Sequence, residues 1–298
     1  MVCPHCTSLY TKKDGKRYNS PDSRKGTYQE YLCKSCGKYF SMPLDTIVET
    51  DYPTVEPGEV LSVKSDSLMR VHCLTDVHVG ANEFDSKKFA EAVDMIKKDR
   101  YAKWFGNGDL LELIPPGYKA ISSRGQDIPP DEQYLAFLQL VEPIKDKCLF
   151  IRGGNHDFLR SYTILDFDVC KTLAAELNVP YFQYPGYSTI TIGDVTWNMV
   201  TGHGKSGAKN GDLELDKMAA VYSDGDVFVL GHNHQLYAKP VDSLKIVNGE
   251  EELRRRWYVR GGSFLRYATY ARYSMYPIIR TGWVTMEFNK KGIKCWEN

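Results

Sequence analysis

From residue 68 onward, short apolar runs alternate with segments whose apolar residues recur every three or four positions, a rhythm that predicts an α/β domain. The run 68–74 (LMRVHCL) has the length and apolar character of a buried strand. Behind it, Phe89, Ala92, Val93 and Ile96 share one face of a predicted helix over 86–98, with Asp85 or Ser86 as its cap. Further strands are predicted near 102–105, 148–151, 188–192, 196–200, 227–230, 257–259 and 283–288, and helices over 131–142, 166–177 and 212–222. The Pro- and Gly-rich stretch 114–130 breaks the rhythm and reads as an inserted loop near a site. Ahead of residue 68 the pattern changes. Residues 43–67 carry Pro43, Pro53, Pro57 and Gly58 with several acids, which reads as a linker holding at most one short strand. The expected organisation is a small module over 1–42, a linker over 43–67 and a large domain over 68–298.

The small module is defined by its cysteines. Cys3 and Cys6 form one C-x-x-C pair, Cys33 and Cys36 a second, and two such knuckles can close a four-thiolate tetrahedron around Zn²⁺. About forty residues bury too little apolar surface to fold alone, so a structural zinc supplies what the core lacks. His5 lies inside the first knuckle and is expected to point outward rather than to compete as a ligand. A redox-active C-x-x-C is the other reading of such pairs. Cys73, Cys148, Cys170 and Cys295 are scattered through apolar stretches and read as buried small hydrophobes.

The 298-residue chain is 42% hydrophobic and 26% charged, which permits a folded enzyme, and it holds no run near the ~18 apolar residues of a membrane span. Its first residues lack the charged start and apolar run of a secretory signal, so a cytoplasmic location is expected. A formal net charge of zero hides an asymmetry: residues 1–40 carry eight Lys or Arg against three acids, a net of +5, and the remainder carries −5. Tyr18, Tyr28, Tyr31, Tyr39 and Phe40 are interleaved with that basic charge, a combination suited to phosphates and stacked bases. The segment 31–41 (YLCKSCGKYFS) resembles the zinc ribbons at the front of some transposases and DNA-processing proteins. Such ribbons bind nucleic acid, bind proteins or brace a neighbour. The charge tilts this one toward nucleic acid, DNA ahead of RNA, with a protein partner as the alternative and no membrane partner expected.

Residues suited to metals cluster where the predicted strands end: Asp76-Val77-His78, Gly108-Asp109, Gly154-Asn155-His156-Asp157, Gly202-His203-Gly204 and Gly231-His232-Asn233-His234. The carboxyl ends of strands in α/β domains face the ligand crevice, so these distant residues can converge. Imidazole and carboxylate suit Mn²⁺, Fe²⁺, Zn²⁺ or Ni²⁺, and a bridging carboxylate can hold two such ions.

In order, D-x-H, G-D-x-x-E, G-N-H-D, H and G-H-x-H resemble the calcineurin-like metallophosphoesterase superfamily over about 68–288. The resemblance implies two mixed β-sheets in a sandwich flanked by helices, here preceded by the small zinc ribbon, with two divalent ions in a cleft at the sheet edges. It implies that Asp76, His78, Asp109 and His234 hold one ion, and Asp109, Asn155, His203 and His232 the other, with Asp109 as the bridge. It also implies a metal-activated hydroxide attacking phosphorus, and His156 as general acid or transition-state stabiliser, oriented by a carboxylate at the position of Glu112. Asp157 is expected to fix the loop backbone, and His72 to pack. Arg266, Tyr267, Tyr270, Arg272, Tyr273 and Tyr276 could line a groove for bases but read first as a packed edge, and Arg254-Arg255-Arg256 as a solvated turn or strand start.

Protein phosphatases of that superfamily carry an arginine where this chain has Leu113, and G-N-H-E where it has Asp157, which disfavours a phosphoprotein substrate. The leading expectation is a phosphodiesterase or nuclease, because a basic ribbon tethered to a phosphoester-cleaving domain concentrates polynucleotide. The alternatives are a phosphomonoesterase or nucleotide hydrolase with a bracing or protein-binding ribbon, and a non-enzymatic DNA-binding scaffold. Retention of every expected ligand speaks against the last.

Overall fold

The computed structural model describes residues 2–8, 10–17, 28–43, 53–115, 125–205, 211–267, 275 and 278–298, and the chain divides into two units, Met1–Asp51 and Tyr52–Asn298. In the first unit β1 (Thr11–Arg17), β2 (Tyr28–Cys33) and β3 (Tyr39–Pro43) form an antiparallel sheet in that order. Tyr31 is buried and stacks on Phe40, its register partner on β3, with ring centroids 5.4 Å apart. Among the described residues of this unit the other buried side chains are Cys3 and Cys33.

The second unit is a mixed α/β structure with large sheets and few helices. Its strands are β4 (Thr54–Val55), β5 (Leu61–Ser65), β6 (Leu68–Leu74), β7 (Ala102–Asn107), β8 (Cys148–Arg152), β9 (Tyr181–Phe182), β10 (Gly186–Ile192), β11 (Val195–Thr201), β12 (Val227–Leu230), β13 (Leu236–Val247), β14 (Glu250–Ser263), β15 (Gly282–Asn289) and β16 (Gly292–Glu297). Its helices are α1 (Ser86–Lys98), α2 (Pro130–Val141), α3 (Arg160–Leu165), α4 (Val169–Glu176) and α5 (Asp212–Val221). One sheet runs β4-β9-β8-β7-β6-β15-β16 and the other β5-β10-β11-β12-β14-β13; they join where Gly262 and Ser263 pair with Trp283 and Gly282. Strands β6 to β9 are parallel and covered on both faces, hence their near-continuous apolar sequences.

Period-two alternation sorts that sheet's residues into two cores. Val71, Cys73, Phe105 and Phe150 point between the sheets, where they meet Ile190, Met199, Val229 and Val259. Their neighbours Leu74, Trp104 and Ile151 point the other way, onto Phe89 and Ile96 of α1, Phe137 of α2 and Leu173 of α4. Helix α5 covers the second sheet through Leu215 and Met218. The Asp85 side chain accepts a hydrogen bond from Lys88 N at the start of α1, as its sequence predicts. At the other end Lys147 Nζ donates to the carbonyls of Ile96, Lys97 and Asp99 at 2.6, 3.1 and 2.7 Å.

Four sequence expectations change. The stretch 43–67, expected as a linker, contributes β4 and β5 to the sheets, because its short polar strands pair along edges where one face stays wet. The helix expected over 166–177 starts at Val169, capped by the Asp168 side chain, with α3 before it and Asp166 (φ 51°) breaking the two apart. Cys295 is only partly covered, on the outer strand β16, whereas Cys73, Cys148 and Cys170 are buried. Most unexpected is a long arm, β13–β14, twelve register pairs from Leu236↔Gly261 to Val247↔Glu250, closed by Asn248 and Gly249 at φ 53° and 86°. Of the loop expected over 114–130, residues 116–124 lie outside the described residues.

Candidate metal centre

Five chain segments bring the expected residues together at strand ends in the second unit. Asp76 and His78 follow β6, Asp109 follows β7, Asn155 and His156 follow β8, His203 follows β11, and His232 and His234 follow β12. Ligand atoms of Asp76, His78 and His234 gather within 4.8 Å of one another, as do those of Asp109, His203 and His232, and those of His78, Asp109 and His156. Asn155 Oδ1 lies 2.8 Å from His232 Nδ1 and 3.3 Å from His203 Nε2, which places its carboxamide with the second group.

The backbone is bent to make this possible. Asp76, His78, Asp109, His232 and His234 have φ of 50°, 53°, 51°, 70° and 59°, a left-handed conformation that costs a non-glycine residue about 1–3 kcal/mol each. Glycines let the loops interleave: a Cβ on Gly154 would run into Asp109 Oδ1, and one on Gly231 would stand 2.6 Å from Asp76 Oδ2. Asp76 takes hydrogen bonds from Thr75 Oγ1 (2.6 Å) and His232 N, and Asp109 Oδ1 takes one from His156 N (2.7 Å). Asp157 serves the backbone, accepting from Leu110 N, Gly154 N and Phe158 N at 2.7–2.8 Å. Burial, with the nearby Asp109 charge, raises its pKa.

The donor set fits divalent cations on three counts. Asp76 and Asp109 are 0% and 1% exposed, and among the described residues neither pairs with a lysine or arginine, so their charge is uncompensated except by imidazole. His203 directs Nδ1 at the Asn107 carbonyl (2.8 Å), which commits that proton. Its Nε2 then faces two oxygens, Asp109 Oδ2 at 3.1 Å and Asn155 Oδ1 at 3.3 Å, an arrangement that demands positive charge between them. Burial opposes the imidazolium there, but Asp109 outweighs it and pushes the His203 pKa up to about 10. Finally, His78 donates Nδ1–H to Glu112 Oε2 (2.9 Å), while its buried Nε2 has no hydrogen-bond partner, the geometry of an imidazole awaiting a metal.

Glu112 differs from expectation in reaching two histidines. Its Oε2 meets His156 Nδ1 at 3.2 Å as well as His78, and its Oε1 meets Arg160 Nη1 at 3.2 Å. Burial drives the Glu112 pKa upward, yet the bonds from His156 and His78 more than reverse this and hold it below the ordinary carboxylate range. Sequence reasoning missed Arg160, Thr75 and Asn107. Only Arg160 had a signal, since it sits one helical turn beyond His156.

Other flagged residues are used elsewhere. His72 is buried, accepting from Trp283 Nε1 at 3.2 Å. Arg254 binds the carbonyls of Ser223, Asp224 and Gly225 and the Asp226 carboxylate, and Arg255 pairs with Asp242, so the arginine run braces β14. Arg266 holds the Glu83 carbonyl; Tyr270, Arg272, Tyr273 and Tyr276 lie outside the described residues.

In the first unit the four thiols also converge. Cys3 Sγ is 3.8 Å from Cys36 Sγ, and Cys6 Sγ 3.6 Å from Cys33 Sγ. Sulfurs about 3.8 Å apart are what a tetrahedron with Zn–S of about 2.3 Å requires. The two knuckles are built alike: the Cys3 and Cys33 carbonyls accept from Thr7 N and Gly37 N, both left-handed. His5 Nε2 turns to the Tyr39 carbonyl instead.

No family model matches the chain, and no curated protein does. Among solved structures it is similar to wild-type Vps29 complexed with zinc from Entamoeba histolytica (14% identity, 77% of this chain and 98% of that one, TM-score 0.39). It is also similar to Vacuolar Protein Sorting 29 from Cryptosporidium parvum (14%, 78% and 98%, TM-score 0.40) and to a predicted phosphoesterase from Streptococcus pneumoniae (15%, 78% and 100%, TM-score 0.35). At that degree of likeness nothing about this chain follows from theirs.

Proposed function

We propose that the chain is a dinuclear-metal-dependent phosphoesterase of the calcineurin-like kind, acting on phosphodiesters of nucleic acid. The observation that carries this is the position of Asp109, whose carboxylate is grouped with His203 and His232 on one side and with His78 on the other, where His78 is also grouped with Asp76 and His234. Asp76, His78, Asp109 and His234 would hold one divalent ion, and Asp109, Asn155, His203 and His232 the other. When bound, such a pair polarises a phosphoryl oxygen and makes water acidic enough to attack phosphorus at neutral pH. The chain's own contribution is placement. Glu112 fixes the rings of His78 and His156, Asp157 ties the Gly154 loop to Leu110, and His156 is left to act on the leaving oxygen.

The polymer substrate rests on the first unit. Its basic residues are accompanied by exposed rings that no core uses: Tyr10 is 66% exposed with Lys34 Nζ 5.2 Å from its ring centre, and Tyr39 is 53% exposed. The four thiols there would hold one structural zinc.

Incubating the protein, supplied with Mn²⁺, Ni²⁺ or Zn²⁺, with labelled single- and double-stranded DNA, RNA, bis-p-nitrophenyl phosphate and p-nitrophenyl phosphate tests this reading. Cleavage of the diester and of at least one polynucleotide is expected. Turnover of the monoester alone would replace the nuclease with a phosphomonoesterase, and no turnover of any ester would leave a binding protein.

A further inference from the structure

Among the described strands, residues 250–256 of β14 pair only with β13, because β12 joins β14 no further out than Trp257. Alternation along this continuous register puts Asp242, Leu244 and Ile246 of β13 on one face of the ribbon with Arg255, Leu253 and Glu251, their partners on β14. Nearer the body the same face carries Ala238 and Trp257, which pack against the core between the sheets. Further out it is bare: Leu244, Ile246 and Leu253 are 65%, 69% and 65% exposed. A two-stranded ribbon is marginal in water by itself, and three large apolar side chains together on its open face call for a cover. The charges around them are mirrored. Residues 250–256 read EEELRRR, three acids and three arginines reflected about Leu253. On the apolar face this leaves Glu251 on one side of Leu253 and Arg255 on the other, each about 7 Å along the strand. Glu251 has no ion-pair partner among the described residues, and Arg255 gives Nε and Nη2 to Asp242 at 2.8 and 2.9 Å with Nη1 left over.

We propose that this face is the contact between two copies of the chain, packed arm against arm about a two-fold axis that crosses the ribbon at the Leu244–Leu253 pair. Such an axis reverses strand direction, so Leu253 lies over the partner's Leu253 and Leu244 over the partner's Leu244. Glu251 then falls over the partner's Arg255, and by symmetry Arg255 over the partner's Glu251. The patch is its own complement, which a closed dimer demands of a surface and an unrelated partner does not. A copy packed in the parallel sense would bring acid to acid at the tip and arginine to arginine at the base, so charge selects the reversed arrangement. Three apolar side chains and a charged rim cover less than the about 800 Å² per partner of a standard interface, so the dimer is weak, with a Kd on the order of 10–100 µM. Pairing of the arms is independent of what the metal centre hydrolyses.

Sedimentation equilibrium of the full chain from about 1 to about 500 µM brackets that Kd and tests the pairing. The mass is expected to climb from 34.0 kDa toward twice that value and to stop there. Leu244→Thr/Leu253→Thr keeps β propensity at two exposed positions and should raise Kd about tenfold or more while moving the thermal midpoint by only a few degrees. Glu251→Arg, which sets arginine against the partner's Arg255, should stay monomeric. So should Asp242→Arg/Arg255→Glu, which keeps the cross-strand pair within each arm but sets acid against the partner's Glu251. Mixed in equal amounts, these two charge-reversed chains should dimerise again, because both contacts are then arginine against glutamate. Recovery in the mixture needs a folded arm in each chain, so it separates loss of the contact from loss of the arm. A wild-type mass fixed at 34.0 kDa across the range would overturn the proposal. So would a dimer undiminished in Leu244→Thr/Leu253→Thr, whose contact must lie elsewhere, or charge-reversed chains that each fold yet fail to pair when mixed.

Discussion

The two polar clusters of this chain are held in opposite ways. The four thiols of the first unit sit on two tight knuckles joined to three short strands, and among the described residues the one buried ring there is Tyr31. The histidines and carboxylates of the second unit hang from strand ends above two extensive apolar cores. In the first case the ligands are the structure, and a cation between them would replace a core. In the second the core sets the ligands, to the point of imposing left-handed backbone on five of them. The lesson is that ligand spacing alone does not say whether a metal builds a site or merely occupies it.

The two units should therefore respond differently to substitution. Cys33→Ser should abolish the first unit as a folded entity, since a structural zinc contributes about 10–16 kcal/mol in such modules. Limited proteolysis should then cut within residues 1–51 while the second unit survives; survival of both would mean the front folds without its staple. Asp109→Asn should leave the second unit folded, with a thermal midpoint within a few degrees, while hydrolysis falls beyond the ~100-fold that outer partners carry. Unfolding would mean the cluster is as structural as the thiols. Phe150→Ala, between the sheets, should cost about 3–5 kcal/mol in urea unfolding of the second unit and leave zinc affinity at the front unchanged.

His72 sharpens the contrast by pH. Burial, abetted by Arg70 and Lys147 against Asp99, lowers its pKa to about 4. The unfolded chain therefore takes up a proton near pH 6.5 that the native ring refuses. Stability should be full above that pH and fall as pH drops toward 4, by up to about 3 kcal/mol. Urea midpoints across pH 7 to 4.5 would show it, and His72→Gln should flatten that part of the profile. Smallest of all, Lys147→Met should cost about 1 kcal/mol by uncapping α1, visible as a lowered thermal midpoint.

What could be read in the sequence follows from the same physics. The parallel strands and their motifs stood out because burial on both faces forces long apolar runs, and strand ends then mark where polar residues must be functional or satisfied. The inner end of β14 was legible because Tyr258 and Val259 are buried, whereas the outer part of the β13–β14 arm escaped because no core writes a pattern there: Leu244, Ile246 and Leu253 are 65–69% exposed. Its one legible mark was Asn248-Gly249 at the tip, a two-residue turn signal. Strands β4 and β5 were obscured by prolines and edge positions. The spacing from His156 pointed to Arg160, but its contact with Glu112 was hidden because the two lie 48 residues apart and only folding brings them together.

The arm also bears on how the protein behaves when concentrated. Among the described strands β13 pairs only with β14, so its outer rim offers open amide and carbonyl groups to any extended chain that drifts by. Pro240 withdraws one donor from that rim, and Lys239 and Lys245 place charge along it beside the exposed leucines and isoleucine. These residues act as guards against growth along that rim, and exchanging Lys245 for a β-branched apolar residue would turn a guarded ribbon into a seed for aggregates.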